Sequence, residues 1–184
     1  MSRYAPIELL APDPDRSTCD CGSPAQTTWL RQHALQAQQA DTARVYVACP
    51  AGERRVVGYY ALAAGSVSRE GAPPRVAQGT GQHPVPVVTL TRLGVDLGEQ
   101  GRGLGAALVR DALLQTTWLA ERVGVRALLI HAESDEAAAF YRHLAPNFEP
   151  SPTDPLHLVL LMKDLRRAVK QAAATRSSGA TGQR

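Results

Sequence analysis

Three glycines stand within five residues directly ahead of a strongly helical stretch, in the segment EQGRGLGAALVRDALL over residues 99–114. Glycine costs backbone entropy where a helix is about to begin, so Gly101, Gly103 and Gly105 need a physical reason. A helix N-terminus presents unpaired N–H groups and the positive end of the helix dipole, and without side chains a phosphate can bind those N–H groups directly. The segment therefore predicts a pyrophosphate site. Tight packing of a strand against a helix, with no ligand, is the alternative.

The spacing within this segment distinguishes between classes of phosphate site. A Walker P-loop requires Gly-Lys-Ser/Thr, and Gly105 is followed by alanine, so that class is excluded. A dinucleotide fingerprint, Gly-x-Gly-x-x-Ala, begins at Gly101, but the acid at the required distance, Glu121, falls within the following helix. The pattern that remains is Gln100-x-x-Gly103-x-Gly105, placed after a strand.

The cysteines indicate neither a disulfide framework nor a metal site. Cys19, Cys21 and Cys49 are an odd number without regular spacing, which favours a reducing compartment. The pair Cys19-x-Cys21 lacks a second Cys/His pair at zinc spacing. We therefore predict no bound metal.

The composition is that of a globular protein with a small positive charge. The chain has 184 residues, 44% of them hydrophobic, and a formal charge of +3. That charge permits an anionic substrate without demonstrating nucleic-acid binding. The N-terminus lacks the pattern of a signal peptide, and no apolar stretch approaches the length of a membrane span. We expect a cytoplasmic protein with no membrane partner, a single domain over residues 1–165 and a flexible C-terminal tail over residues 166–184.

Periodicity and turn signals predict a mixed α/β order of elements. Apolar and β-branched stretches predict strands over residues 7–10, 43–49, 54–66, 85–97, 125–132 and 156–165. Helices are predicted over residues 24–39, from the glycine segment to about residue 123, and over 135–144, with Ser23 and Ser134 as N-caps. The Gly- and Pro-rich residues 67–84 are predicted to form a long loop.

The segment from Gln100 to Gly105 resembles the acetyl-CoA pyrophosphate loop, Arg/Gln-x-x-Gly-x-Gly/Ala, of the GNAT family of N-acetyltransferases. The resemblance continues through a strand and an Asp/Glu-capped helix carrying AAAFYRHL, where GNAT proteins have an Ala/Phe-Tyr motif. It covers roughly residues 43–163. The implied fold is α/β (α+β): a mixed central sheet of about six to seven strands, flanked by helices and splayed at the acetyl-CoA site.

A narrower resemblance extends over nearly the whole chain. The segments DCGSPAQTTWLRQHAL, VVGYYALAAGSV, PVVTLTRLGVD and FEPSPTDPLHLVLLMKDLR are similar to the TacT-like acetyltransferase toxins of bacterial type II toxin–antitoxin modules. Those toxins acetylate the α-amino group of aminoacyl-tRNA and thereby stop translation. The chain departs from that group at Cys19, where an aromatic residue is usual, at Gly94, where alanine is common, and in RHLAPNFEP, which replaces a compact Gly-Phe turn.

The resemblance implies which residues bind the cosubstrate acetyl-CoA and which one acts in catalysis. Backbone groups of Leu93, Gly94 and Val95 would pair with the pantetheine amides, and the pyrophosphate would be bound by Gln100, Gly101, Arg102, Gly103, Leu104 and Gly105. Tyr141 matches the tyrosine that protonates the leaving thiolate. The alternative for Tyr141 is a core tyrosine whose hydroxyl finds a polar partner.

Arginines and histidines are the candidates for binding the acceptor. A phosphate-binding face for the acceptor stem would draw on Arg31, Arg44, Arg69, Arg75, Arg92 and Arg142, of which Arg92, next to the cofactor strand, is the leading candidate. Surface arginines without a ligand are the alternative. His157 is a candidate for lining the acceptor pocket, and His33 and His131 are candidate bases. Because His131 falls on a predicted buried strand, we expect it to belong to the core.

The implied partners are an aminoacyl-tRNA substrate, a ribbon-helix-helix antitoxin and a second copy of the chain in a homodimer. Two other functions stay open: an ordinary GNAT enzyme acting on a small amine or a protein amine, and a non-catalytic RNA- or partner-binding module on the same scaffold. Acetylation of charged but not deacylated tRNA distinguishes the three.

Overall fold

A computed structural model of the chain describes residues 2–179, with side chains over residues 2–171. Its elements are β1 (Glu8–Leu9), α1 (Pro24–Thr28), α2 (Ala34–Gln39), β2 (Arg44–Ala48), β3 (Gly58–Val67), α3 (Pro74–Ala77), β4 (Val85–Val95), α4 (Leu104–Ala120), β5 (Ala127–His131), α5 (Asp135–Leu144), β6 (Glu149–Pro150), β7 (His157–Leu161) and α6 (Met162–Gly179). The strands form one mixed sheet in the order β1-β2-β3-β4-β5-β7-β6. The predicted sheet of six to seven strands with flanking helices is confirmed, whereas its splaying stays a prediction.

The chain forms two compact units, and each is described by itself. The first unit contains Met1–Ala64 and Thr89–Ala112, and the second contains Gly65–Val88 and Leu113–Arg184. The expectation of a single domain over residues 1–165 stays a prediction. Among the described residues, no helix is long and apolar enough to cross a membrane.

In the first unit, an antiparallel ladder of β1, β2 and β3 packs with the helical segment 24–39. Ser23 Oγ accepts the Gln26 N–H at 3.4 Å at the start of α1, as the capping pattern predicted. Between α1 and α2, Trp29–His33 form a wider π-helical turn, in which the Ala34 N–H donates to the Trp29 carbonyl. The buried residues of this unit form one core cluster that includes Leu30, Val45 and Tyr59.

In the second unit, β7 pairs antiparallel with both β5 and β6. The predicted long loop 67–84 is packed rather than free, because it contains α3 and contributes the buried Val76 to the core of this unit. The Arg126 guanidinium donates to the carbonyls of Val76 at 3.0 Å, Gln78 at 2.9 Å and Arg75 at 3.3 Å. One arginine therefore satisfies three backbone acceptors of a segment that lacks a sheet partner.

The end of the chain differs from the prediction. The strand expected over residues 156–165 ends at Leu161, and α6 begins at Met162. The buried Asp164 lies in the first turn of α6, where its carboxylate accepts from Arg75 at 2.9 Å and lies 3.6 Å from Arg167. A paired carboxylate at this position favours a helix start over continued strand. Residues 166–179 of the expected tail are helical, and residues 180–184 lie outside the described residues.

Candidate active site

The glycine segment forms a turn between β4 and α4. Gly101 and Gly103 have φ angles of 72° and 85°, in the left-handed region that side chains other than glycine rarely adopt. A Cβ added at either residue would meet no other atom within 4 Å. Conformation rather than crowding therefore requires these glycines, and the space beside them is open. Gly105 lies in the first turn of α4, whose leading N–H groups have no partner within the helix.

Residues 20–22, far away in sequence, brace this turn. The Leu97 N–H donates to the Asp20 carbonyl at 2.8 Å, and the Asp20 N–H donates to the Asp96 carboxylate at 3.0 Å. Gly22 has a φ of 76°, and a Cβ there would lie 2.8 Å from Leu97 Cδ2. The Asp-Cys-Gly segment therefore positions the glycine turn, a role that sequence reasoning missed. The local turn at residues 20–22 could have been found from the sequence, because an aspartate two residues ahead of a glycine is typical of an Asx turn. In the structure the Asp20 carboxylate accepts the Gly22 N–H at 2.9 Å.

Gln100 uses all of its N–H donors within the protein. Its backbone N–H donates to the Asp96 carbonyl at 3.1 Å. Its side-chain Nε2 donates to the carbonyls of Cys21 at 3.1 Å and Val95 at 3.0 Å. An amide nitrogen has two protons, so Gln100 ties β4 and residues 20–22 to the turn.

The acidic residue that precedes Gln100 is held by the N-terminal segment. Glu99 Oε2 accepts from the Tyr4 hydroxyl at 2.7 Å and from Arg3 Nε at 3.2 Å, and it lies 3.9 Å from Arg102 Nε. The hydrogen bonds from Tyr4 and Arg3 lower the pKa of Glu99. Arg102, whose side chain is 48% exposed, stays available to a ligand at the turn.

Gly94 is required by close packing on β4. A Cβ at this position would lie 2.7 Å from Cys21 Sγ and 2.7 Å from Tyr59 Cε1. The buried Cys21 and Tyr59 therefore explain why glycine stands where alanine is common in the toxins that the chain resembles. Its neighbours Leu93 and Val95 are half-buried, so this end of the strand is only partly covered.

Tyr141 lies in α5, whose N-cap is Ser134 as predicted. The side chain is 7% exposed, and its ring packs at 5.4 Å from that of Phe140. Burial raises the pKa of Tyr141 above its usual value of 10, with a smaller contribution from Glu133. Within the described part of the chain the Tyr141 hydroxyl has no hydrogen-bond partner. A nearly buried hydroxyl without a partner is unusual for a purely structural tyrosine.

Two of the predicted substrate arginines lie in the first unit with an aromatic residue. The Arg92 guanidinium carbon is 5.7 Å from the centroid of the Trp29 ring, and that ring stacks on Tyr59 at 5.8 Å. Arg31 belongs to the same π-helical turn as Trp29, and its Nε donates to the Cys19 carbonyl at 3.1 Å. The π-helical turn thus carries both the aromatic ring that pairs with Arg92 of β4 and a second guanidinium, that of Arg31.

The remaining candidate arginines each have a partner of their own. Arg44 pairs with Asp41 at 2.7 Å, Arg69 donates to the Gly81 carbonyl, Arg75 pairs with Glu149 at 3.0 Å and with Asp164, and Arg142 donates to the Pro155 carbonyl at 3.5 Å. Arg69 and Arg75 thereby hold the segment 67–84 in place. Arg44 and Arg142 are exposed and keep further donors.

Two histidines form a stacked pair at the adjacent ends of β5 and β7. His131 is registered with His157, and their ring centroids are 4.0 Å apart. His157 Nε2 lies 3.3 Å from the Asp154 carboxylate. The expectation that His131 belongs to the core is wrong: it is the last residue of β5 and is exposed. The pKa of His131 is lowered, mainly by its partial burial and to a smaller extent by the neighbouring His157.

The residues around the glycine turn fit a pyrophosphate group. The two left-handed glycines leave open space, the first turn of α4 supplies N–H donors, and Arg102 supplies positive charge. Among the described residues, no group of three or more His, Cys, Asp or Glu side chains is arranged to hold a metal ion. Cys19, Cys21 and Cys49 are all free thiols.

The chain belongs to the acetyltransferase (GNAT) family, whose model matches residues 8–145. It is therefore an acetyltransferase by family, and the predicted GNAT fold is confirmed. A tRNA-acetylating toxin of Mycobacterium tuberculosis is 47% identical over 169 residues, which cover 92% of this chain and 99% of that protein.

Solved structures of toxins have the same fold. A tyrosine-to-phenylalanine mutant of KacT matches with a TM-score of 0.82 and 26% identity, over 90% of this chain and 99% of that one. AtaT complexed with acetyl-methionyl-tRNAfMet matches with a TM-score of 0.80 and 30% identity, over 89% of this chain and 98% of that one. AtaT has also been solved in the AtaTR complex with acetyl-CoA and with the C-terminus of its antitoxin AtaR.

Proposed function

We propose that this chain is a toxin that transfers the acetyl group of acetyl-CoA to the α-amino group of aminoacyl-tRNA and so blocks translation. The observation that carries this proposal is the 47% identity to a tRNA-acetylating toxin across 99% of that protein. A match over 99% of that protein includes the segments outside the acetyl-CoA motif as well as the motif itself. AtaT, which shares the fold, was solved with acetylated aminoacyl-tRNA and with acetyl-CoA.

On the donor side, backbone groups bind acetyl-CoA and a few side chains hold that backbone in place. The acetyl group moves from the thioester sulfur to the α-amino nitrogen, and CoA leaves as the free thiol. Backbone groups of Leu93, Gly94 and Val95 pair with the pantetheine amides. The pyrophosphate is bound by N–H groups of residues 101–105 and by the charge of Arg102. Gln100, whose donors are all used internally, keeps this turn in its binding conformation.

Tyr141 holds the proton that the leaving thiolate needs. A phenol serves as a general acid only if it is protonated at working pH, and burial raises the pKa of Tyr141 further above neutrality. Its hydroxyl has no partner among the described residues, so no internal hydrogen bond competes for that proton. The KacT variant of known structure carries a tyrosine-to-phenylalanine change, which suits a family tyrosine with a chemical role.

On the acceptor side, arginines bind the RNA backbone and a histidine lines the pocket for the amino group. Arg92 and Arg31 contribute positive charge beside Trp29, a combination of cation and aromatic ring that suits unpaired nucleotides. Arg44 and Arg142 add exposed charge with donors to spare. His157, which pairs with Asp154 at 3.3 Å, is the proposed contact for the aminoacyl end.

The proposed partners follow from the toxin assignment. We infer an antitoxin of the ribbon-helix-helix class that covers the basic acceptor face, and a homodimer as the active form. The antitoxin AtaR contacts AtaT through its C-terminus, which supports an extended inhibitory segment. A toxin that acts on charged tRNA functions in the cytoplasm, where that substrate is made and used.

The experiment that tests this proposal is acetyl transfer with a choice of acceptors. Purified protein and labelled acetyl-CoA are incubated with charged tRNA, deacylated tRNA, a polyamine and a lysine peptide. Only charged tRNA should be labelled, because only it carries a free α-amine on an ester-linked amino acid. Equal labelling of the polyamine or the peptide indicates an ordinary acetyltransferase, and tRNA binding without transfer indicates a non-catalytic module.

A further inference from the structure

A polar cavity of about 400 Å³ lies in the first unit, outside the donor and acceptor residues described so far except for one shared arginine. Residues 12–17, from the loop after β1, and Arg31 line it. The loop is well tied: the Asp15 N–H donates to the Arg54 carbonyl at 2.8 Å, and the Val56 N–H donates to the Asp15 carbonyl at 2.9 Å. The cavity is therefore a fixed feature of this unit.

Its two carboxylates already have donors of their own. Asp13 accepts from Arg54 at 2.9 Å. Asp15 accepts from the Ser17 N–H at 2.9 Å and the Ser17 hydroxyl at 2.7 Å, and these hydrogen bonds lower its pKa. Among the described residues, neither carboxylate lies within 4.0 Å of a guanidinium nitrogen of Arg16 or Arg31, although the charge of Arg16 also contributes to the lowered pKa of Asp15.

Its two arginines, in contrast, have donors left over. Arg16 Nε is buried and is the one buried side-chain nitrogen or oxygen without a hydrogen-bond partner among the described residues. Arg16 Nη1 reaches only the Pro14 carbonyl at 3.4 Å. Arg31 uses Nε for the Cys19 carbonyl, which leaves both of its terminal nitrogens unassigned among the described residues. Arg16 Nη2 and both terminal nitrogens of Arg31 therefore remain as donors for an anion in the cavity.

We propose that this cavity binds a phosphate of the RNA backbone through Arg16 and Arg31. Two planar guanidinium forks match the oxygens of a phosphate better than a single ammonium does. Arg31 shares its helical turn with Trp29, on which Arg92 stacks, so the cavity adjoins the aromatic and basic acceptor residues. This inference rests on the proposed function, because it takes the anion to be a phosphodiester of the tRNA substrate.

The test measures how RNA binding depends on salt in single variants. An acceptor-stem RNA with no amino acid attached is titrated into wild type, Arg16→Gln and Arg16→Lys at salt concentrations from about 50 to about 200 mM. Loss of one phosphate contact should reduce the slope of log Kd against log salt by about one and weaken binding irrespective of RNA sequence. Arg16→Lys keeps the charge and should recover the slope while binding more weakly than wild type, because it lacks the fork.

Arg122→Gln is the matched control. Arg122 stacks on the exposed Trp118 in the second unit and lines no part of this cavity, so its loss removes the same charge elsewhere. Acetyl-CoA affinity and melting temperature should stay at wild-type values in Arg16→Gln, which shows that the variant is folded and that the donor site is intact. A slope for Arg16→Gln equal to that of wild type and Arg122→Gln overturns the inference.

Parallel assays separate this inference from the proposed function. If wild type acetylates charged tRNA and Arg16→Gln keeps its salt slope, the cavity inference fails and the function stands. If Arg16→Gln loses the slope and no charged tRNA is acetylated, the cavity binds RNA and the function fails. If Arg16→Gln weakens the binding of an acidic peptide and not the binding of RNA, the occupant is a protein carboxylate and the inference is overturned. A wild-type protein that binds no RNA at the lowest salt also overturns it.

Discussion

Two polar side chains, Tyr141 and Gln100, differ in whether their hydrogen-bonding groups are already used within the protein. Gln100 gives every N–H donor to a carbonyl of the first unit, whereas the Tyr141 hydroxyl has no partner among the described residues. A group whose donors are spent stabilises its surroundings, and a group with a free donor is available to a ligand. We therefore propose that Gln100 positions the glycine turn and that Tyr141 acts in the chemical step.

Replacing Tyr141 by phenylalanine keeps the ring and its packing and removes only the proton donor. We expect turnover with charged tRNA to fall by about 10²–10⁴, the range typical of a general acid. Acetyl-CoA affinity by calorimetry and melting temperature should change little. Tyr46→Phe removes a tyrosine hydroxyl in the other unit and serves as the control. Near-wild-type turnover of Tyr141→Phe means that solvent or another group protonates the thiolate.

Replacing Gln100 by glutamate tests the positioning role. The carboxylate has nearly the same shape but faces the carbonyls of Cys21 and Val95 without a proton to donate, so these acceptors lose their donor. We expect both a lower free energy of unfolding and weaker acetyl-CoA binding. Denaturant unfolding without ligand separates the roles, because loss of affinity at unchanged stability makes Gln100 a direct ligand contact instead.

At the scale of elements, the donor site depends on segments far apart in the chain. The glycine turn was predicted because its signal is local: glycines directly ahead of a helical stretch, with the helix of Tyr141 capped by Ser134 in the same local way. The brace from Asp20 was not predicted, because its N–H donates to the carboxylate of Asp96, 76 positions further along the chain, and such a hydrogen bond leaves no periodic pattern. Tertiary contacts of this kind select among conformations that local signals leave open.

Two other predictions, the end of the last strand and the burial of His131, were wrong for related reasons. The apolar stretch that ends β7 continues into helix-forming residues, and the burial of Asp164 with Arg75, which decides where the helix begins, is a tertiary effect. The stacked pair of His131 and His157 depends on the register of β5 and β7, since a shift of one residue would move the rings to opposite faces. Sequence alone indicates neither the ion pair nor the register.

The contact between the N-terminal segment and the glycine turn should respond to pH through Glu99. Hydrogen bonds from Tyr4 and Arg3 hold the folded-state pKa of Glu99 below its usual value of about 4.5. The stabilisation is therefore present above that usual value and is lost as the pH falls through the lower, folded-state pKa. We expect Glu99→Gln to destabilise the protein at pH 7 and to have a smaller effect in acid. Urea unfolding of both proteins across pH 3–7 measures this difference.

Tyr4→Phe is the control for this pH dependence. Tyr4→Phe removes the hydrogen bond that contributes most to the lowered pKa of Glu99, so it should reproduce part of the effect. If the difference in unfolding free energy between wild type and Glu99→Gln is constant from pH 7 down to pH 3, Glu99 does not couple the N-terminal segment to the turn.

At the scale of the whole molecule, the chain is a GNAT acetyltransferase that matches a tRNA-acetylating toxin over nearly the full length of both proteins. The donor site that we propose relies mainly on backbone groups. We propose that acceptor choice depends on the arginines, aromatic residues and histidines outside that motif. The identity of the atom that receives the acetyl group is therefore the central question about this protein.

The most direct measurement identifies that atom by mass spectrometry. Charged tRNA is incubated with acetyl-CoA and the protein, the aminoacyl ester is cleaved in mild alkali, and the released amino acid and the tRNA are analysed separately. We expect an N-acetylated amino acid and an unmodified tRNA from the wild-type reaction, and a much slower release of N-acetylated amino acid with Tyr141→Phe. Acetyl groups on the nucleotides, or a free amino acid without acetyl, would contradict it.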